Sequence, residues 1–155
     1  MEIFWITDRI AQGGQPAIDL INYTMLYGDG ITHVLDFSGY PLPSEIISLT
    51  QPHVIQEPIH DYQLIPHDQL IQCLVLMHDI LTQLDTKLYI HCMAGHGRSP
   101  TIVWLYLVAC GISPEAAQQQ IQSKNTNSSP GGEGLVDHTH ILFAKKYGQD
   151  HGWQQ

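Results

Sequence analysis

Residues 91–101, His-Cys-Met-Ala-Gly-His-Gly-Arg-Ser-Pro-Thr, constrain this chain more than any other stretch, because they set Cys92 and Arg98 six positions apart across a glycine-bearing turn. Upstream, Leu88, Tyr89 and Ile90 form a short, apolar, partly β-branched run, the pattern of a buried strand. Downstream, residues 100–110 are an apolar run long enough for a buried helix. The loop therefore joins a strand end to a helix start. There the unpaired N–H groups of the first helical turn and the positive end of the helix dipole converge on the turn, and an anion is its natural occupant. Gly95 and Gly97 admit positive φ, so successive N–H groups can point inward as an anion-holding nest. Arg98 adds a planar fork that matches two oxygens of a tetrahedral oxyanion. The same field favours the thiolate of Cys92 over the thiol. A nucleophile and an anion cradle share one loop.

The remaining composition narrows the setting. A chain of 155 residues, 43% hydrophobic and 14% charged, is expected to form one domain over residues 1–155 with a sizeable core. No apolar run reaches the roughly 18–20 residues of a membrane span, and the N-terminal residues lack the basic region of a signal peptide. A soluble, cytoplasmic protein with no membrane partner is expected. Three cysteines without paired spacing suit a reducing compartment rather than a disulfide framework. Cys73 lies on an apolar helical face and Cys110 ends the apolar helix, so both read as core thiols and Cys92 as the reactive one. A net charge of −9, with Arg9 and Arg98 the only arginines, argues against a broad basic face for nucleic acid. The ten histidines are dispersed. His138 and His140 alternate without a third ligand, so they read as helix-surface residues, and neither a metal nor a cofactor is expected.

Periodicity and punctuation place strands over residues 2–6, 9–13, 30–37 and 54–59, and helices from about Pro16 to before Gly28, over 43–49 and over 66–84. After the loop and the buried helix, Ser113-Pro114-Glu115 starts a helix that runs to Lys124, and a last helix begins near Asp137. Alternating strands and helices imply an α/β fold: a central, mostly parallel sheet flanked by helices, with the loop at the carboxyl end of a strand.

The 91–101 motif resembles the Cys-x5-Arg-(Ser/Thr) signature of the protein tyrosine phosphatase superfamily, and is most similar to its small, atypical dual-specificity branch. The preceding His91, the glycine pair, Ser99 and the strand and helix flanks make the likeness specific, and the order of elements extends it over nearly the whole chain. Residues 10–16 are loosely similar to the N-terminal segment of that branch.

The resemblance implies a cysteine phosphatase in which Cys92 attacks phosphorus. Arg98 and the amides of Met93, Ala94, Gly95, His96 and Gly97 would hold the phosphate, Ser99 would support the cysteine sulfur, and His91 would order the loop. Ser99 also suits a helix N-cap. The departing oxygen needs a proton, which the family takes from an aspartate on a preceding loop. Asp61 stands 31 residues before Cys92 and Asp68 stands 24 before it. Asp61, after a strand and before a helix, is the expected acid. Asp68 falls in a first helical turn, where a carboxylate serves the dipole. Asp36 reads as a turn residue and His60 as an exposed loop histidine. A thiol-protease pairing of His91 with Cys92 fails, because adjacent strand residues face opposite ways and Arg98 would have no role.

The implied substrates are phosphate monoesters, with phosphotyrosine or aryl phosphate first and phosphoserine or phosphothreonine possible in a permissive site. No lysine stands among the loop's variable positions, which disfavours inositol phosphates, phosphoinositides and RNA 5′ ends. A non-catalytic phosphate-binding module is the other alternative. The 124–134 loop is expected at the pocket wall. Tyr40 and Tyr62 read as surface tyrosines packed on their own fold rather than as substrate-stacking rings. A monomer is expected.

Overall fold

In the computed structural model, which describes residues 2–154, five strands and six helices follow one another as β1 (Ile3–Trp5), β2 (Ile10–Gly13), α1 (Leu20–Gly28), β3 (His33–Asp36), α2 (Ser44–Leu49), β4 (His53–Gln56), α3 (His67–Leu81), β5 (Leu88–His91), α4 (Arg98–Ala109), α5 (Pro114–Lys124) and α6 (His138–Asp150). Met1 and Gln155, the ends of the expected domain, lie outside the described residues. The sheet order is β1-β2-β5-β3-β4, with β1 antiparallel to β2 and every other pairing parallel. Helices cover both faces, as a parallel sheet requires. Side chains alternate between the faces with period two. Ile10, Leu35, Leu88 and Ile90 join the core beneath α3, α4, α5 and α6, while Ala11, Val34 and Tyr89 join the core beneath α1 and α2.

The parallel register brings Gly13 and Asp36 opposite His91 on its two sides, so three strand ends finish in line beneath the 92–97 loop. Helix α4 is buried along its entire length, being packed on β2, β5, α3, α5 and α6. This accounts for a run apolar on every side rather than on one stripe. Among the described residues no helix is long and apolar enough to cross a membrane.

Several boundaries differ from the sequence reading. Helix α1 begins at Leu20 rather than near Pro16, because the Asp19 carboxylate accepts the Asn22 N–H and caps it there. The fourth strand ends at Gln56 rather than at residue 59, where Arg98 takes the Ile59 carbonyl. Helix α3 stops at Leu81, three residues short of the expected end. Its last carbonyls are taken from outside the helix: Arg9 Nη1 donates to Leu81 O at 2.7 Å and Thr86 Oγ1 to Ile80 O at 2.7 Å. Helix α4 begins at Arg98, two residues before the expected start, and Pro100 sits in its first turn, where no N–H is needed. Ser113 caps α5 through its side chain, as read, and α6 begins just after Asp137, near the expected start, with Asp137 as its side-chain cap.

Candidate active site

Cys92 follows the last residue of β5 and is 3% exposed, its sulfur 3.3 Å from Ser99 Oγ. The loop turns back through Gly95, whose φ of +79° is left-handed, and a side chain there would meet the Gly13 backbone. Gly97 differs from expectation: its φ is −118°, so positive φ is not what requires a glycine there. A Cβ at Gly97 would collide with the Glu133 carboxylate. Gly97 is also the N-cap of α4, so Ser99 is not the cap its position also suited.

Two buried amides missed in the sequence hold this loop. Gln12, on β2 and fully buried, donates from Nε2 to Gly95 O and to Ser99 Oγ, each at 2.8 Å. Asn125, just past α5, donates from Nδ2 to Gln12 Oε1 at 2.8 Å and to Gly95 O at 3.3 Å. Since Gln12 already donates to the Ser99 oxygen, the Ser99 hydroxyl acts as a donor, with Cys92 Sγ at 3.3 Å and Gly13 O at 3.5 Å as its acceptors. The only sequence signals were an amide inside a buried strand and an Asn at a helix C-cap.

His91 is fully buried, with Nδ1 3.1 Å from the Cys92 carbonyl oxygen and 3.8 Å from Asp36 Oδ1. Burial above all holds its pKa below the ordinary histidine value, against the opposing effects of Asp36 and the Cys92 carbonyl. It is therefore a neutral ring that donates to backbone. Asp36 accepts from Ser38 N at 2.8 Å, Ser38 Oγ at 2.6 Å and Gln56 Nε2 at 3.2 Å, the pattern of a turn residue.

That turn aims backbone carbonyls at Arg98, whose Nη1 donates to Phe37 O, Ser38 O and Ile59 O at 3.3, 3.2 and 3.0 Å. The guanidinium is 6% exposed and locked by its far edge, while Nη2 stands 3.7 Å from Asp61 Oδ2. A cavity of about 100 Å³ brings together Cys92, Arg98, Asp61, Tyr62, Met93, Ala94, His96, Gly97 and Glu133. Asp68 is absent from its lining and stands in the first turn of α3. Tyr62, 70% exposed and with a φ of +57°, stands at the cavity rim rather than packed on the fold. Tyr40 lies outside the cavity. The 124–134 loop does supply wall, through Glu133, which the sequence reading did not single out. An adjoining groove of about 440 Å³ shares Met93, Ala94 and His96 and adds Gln15, Asn125 and Asn127.

Away from this cavity, burial pushes both other thiols above the ordinary cysteine range, Cys73 far above it. His140 departs from the expected surface position. It is 2% exposed, accepts the Asp137 N–H on Nδ1 at 3.0 Å and donates from Nε2 to Ile65 O at 2.7 Å. With His67 it forms a His-Asp-His cluster, but both His140 nitrogens serve the protein, and His67 Nε2 pairs with Thr139 Oγ1 at 3.0 Å. The cluster is a helix cap.

The family this chain matches and several of the proteins it is similar to carry phosphatase descriptions. Mouse "Protein tyrosine phosphatase type IVA 2" is 30% identical over 103 residues, covering 61% of this chain and 53% of that protein, so the chain spans about half the length of the relatives it matches. The crystal structure of a mouse putative dual specificity phosphatase complexed with zinc tungstate superposes with a TM-score of 0.77 at 17% identity, over 98% of this chain and 91% of that one. The structure of PTPMT1 in complex with PI(5)P superposes with a TM-score of 0.71 at 16% identity, over 94% of this chain and 93% of that one. At such identities the two structures establish the shared fold. Residues 5–132 match the family described as "PTP-SAK: Swiss Army Knife protein, DSP-PTPase phosphatase domain", and this chain belongs to that family, within the atypical dual-specificity branch of the protein tyrosine phosphatase superfamily.

Proposed function

We propose that this chain is a metal-independent cysteine phosphatase that hydrolyses phosphate monoesters through a phosphocysteine intermediate, phosphotyrosine and other aryl phosphates being preferred. The observation that carries the reading is the meeting of Cys92, Arg98 and Asp61 around one small cavity. In the first step the Cys92 thiolate attacks phosphorus, the ester bond breaks, and Asp61 protonates the leaving oxygen. In the second, water attacks phosphorus, the sulfur–phosphorus bond breaks, and Asp61 takes the water's proton. Arg98 and the amides of residues 93–98 stabilise the equatorial oxygens, most strongly in the transition state. Ser99 donates a hydrogen bond to the departing thiolate and keeps its proton. His91 acts only on the loop backbone. A sulfur nucleophile and a carboxyl acid complete this cycle without Lewis-acid chemistry. Residues 1–155 act as one catalytic domain, monomeric and cytoplasmic.

The cavity lining supports the preference for substrates bearing one phosphate. Arg98 is its only arginine or lysine, and two carboxyl side chains, those of Asp61 and Glu133, share the rim. Inositol polyphosphates, phosphoinositides and RNA 5′ ends would bring further negative charge against those carboxyls. A module that only binds phosphate would have no use for the cysteine and the acid together.

The deciding experiment is hydrolysis of para-nitrophenyl phosphate in the presence of EDTA. Cys92→Ser should abolish turnover, and Asp61→Ala should lower it by roughly 10²–10⁴-fold. Undiminished activity in Cys92→Ser would refute the phosphocysteine route.

A further inference from the structure

The cavity at Cys92, about 100 Å³, holds little beyond a phosphate, whereas the groove beside it, about 440 Å³, lies in the range of about 300–1,000 Å³ usual for ligand sites. The two share Met93, Ala94 and His96, so one stretch of loop walls both. The opposite wall is held against that stretch. Gln15 N donates to Met93 O at 2.9 Å, and a Cβ at Gly14 would stand 3.2 and 3.3 Å from Met93 O and Ala94 O. A group seated in the groove is therefore fixed in place relative to the phosphate site.

The polar atoms left over in the groove mostly accept. Gln15 Oε1 is buried and receives no hydrogen bond from the described residues. A buried acceptor left unmet is costly, so it calls for a donor from outside. Asn125 spends Nδ2 on Gln12 Oε1 and Gly95 O, which leaves only its own oxygen. The carboxylate of Glu2, also in the lining, can only accept. Asn127 and His96 can donate as well as accept, and no arginine or lysine lines the groove. Phe4 adds an aromatic ring.

We propose that this groove takes an arginine side chain that neighbours the phosphorylated residue of a polypeptide substrate, with Gln15 and Glu2 as specificity-determining residues. This rests on the phosphatase reading above and narrows its substrate to phosphotyrosine in a basic segment. A guanidinium carries five N–H donors and no acceptor, which suits both Gln15 Oε1 and the Glu2 carboxylate, and its planar face stacks on rings such as that of Phe4. A second phosphate or an acidic side chain would meet Glu2 with no cation to offset it. The groove thereby supplies substrate contacts away from the reacting centre, which the small cavity at Cys92 has no room to provide.

The test uses phosphotyrosine peptides that carry a single arginine, glutamine or glutamate, moved within about three residues on either side of the phosphorylated one. Ratios of kcat/KM between peptides cancel any general loss of folded enzyme. At one position the unmodified chain should favour arginine over glutamate by about tenfold or more. Glu2→Lys should invert that preference, and Gln15→Leu, which changes no charge, should shrink it by about threefold or more. Glu115→Lys, on α5 and outside the groove, should leave the ratio within about twofold. Turnover of the peptides without a preference for arginine overturns the proposal and leaves the phosphatase reading standing. So does a preference that Glu2→Lys leaves unmoved or that Glu115→Lys moves as far, since a chain of net charge −9 attracts any basic peptide. A second readout needs no turnover: binding of labelled peptides to the Cys92→Ser protein, followed by fluorescence anisotropy. If the unmodified chain hydrolyses no peptide, tighter binding of the arginine peptide that Glu2→Lys inverts sustains the groove and refutes the phosphatase reading, whereas equal binding overturns the proposal.

Discussion

Gln12 shows how much of this site depends on one side chain that never meets the cavity. Its amide binds Gly95 O and Ser99 Oγ and receives Asn125 Nδ2, so three segments distant in sequence share it. Gln12→Leu keeps the volume but leaves buried polar groups unpaired, which costs about 1–3 kcal/mol. The thermal midpoint should fall by about 2–4 °C for each kcal/mol in a chain of this size. Turnover should fall too, because the Ser99 hydroxyl loses the donor that directs its proton to sulfur. An unchanged midpoint by differential scanning calorimetry would show that water or Asn125 replaces the amide. Arg9 carries the same lesson: one of only two arginines, it donates to Leu81 O, Gln83 O and Thr86 O at 2.7, 2.8 and 2.9 Å, and so closes the end of α3 rather than meeting an anion.

Helix α4 joins catalytic loop to core. Its first residue is Arg98, and its last, Ala109, packs so closely on α6 that a Cβ at Gly148 would collide with the Ala109 backbone. Gly148→Ala therefore gains helix propensity but forces the two helices apart. Because rigid backbone rather than a side-chain tip opposes the new methyl, strain outweighs the propensity gain of about 1 kcal/mol, and overpacking costs typically 1–3 kcal/mol. Urea denaturation should show a lower midpoint for Gly148→Ala with an unchanged m-value, and equal or greater stability would contradict the close crossing. Leu105, fully buried in the middle of α4, should lose about 2–5 kcal/mol as Leu105→Ala in the same assay.

Over the whole molecule, acid sensitivity follows from where histidines are buried. His33, His78 and His91 all titrate below the ordinary value of 6.5, in each case chiefly through burial. The unfolded chain then binds more protons than the folded one at pH values below about 6.5, so stability rises with pH through that window and is complete above it. The thermal midpoint should fall as pH is lowered from 7 to 5, and a flat or rising profile would disprove this. At much lower pH the α6 cap follows: the hydrogen bonds that Thr139 donates hold Asp137 down to about 2, and its contribution, present above the ordinary carboxyl value of 3.8, is lost as pH falls through 2.

Local chemistry was legible in the amino-acid order wherever the determining residues are neighbours. The 92–98 loop between a strand and a helix, the Ser113 cap, the helix start near Asp137 and the alternation of strands and helices all depend on contacts a few residues apart. The starts of α1 and α4 and the end of α3 were displaced because a cap, a sharp turn or a distant Arg9 competes with periodicity. What tertiary structure alone decided is convergence. Gln12, Asn125 and Glu133 lie on three segments with no motif of their own, and the parallel register and the α5–α6 loop bring them onto one turn. Sequence can mark a nucleophile by its immediate backbone, but the meeting of Glu133 with Cys92, Arg98 and Asp61 around one cavity depends on distances that only the folded chain sets.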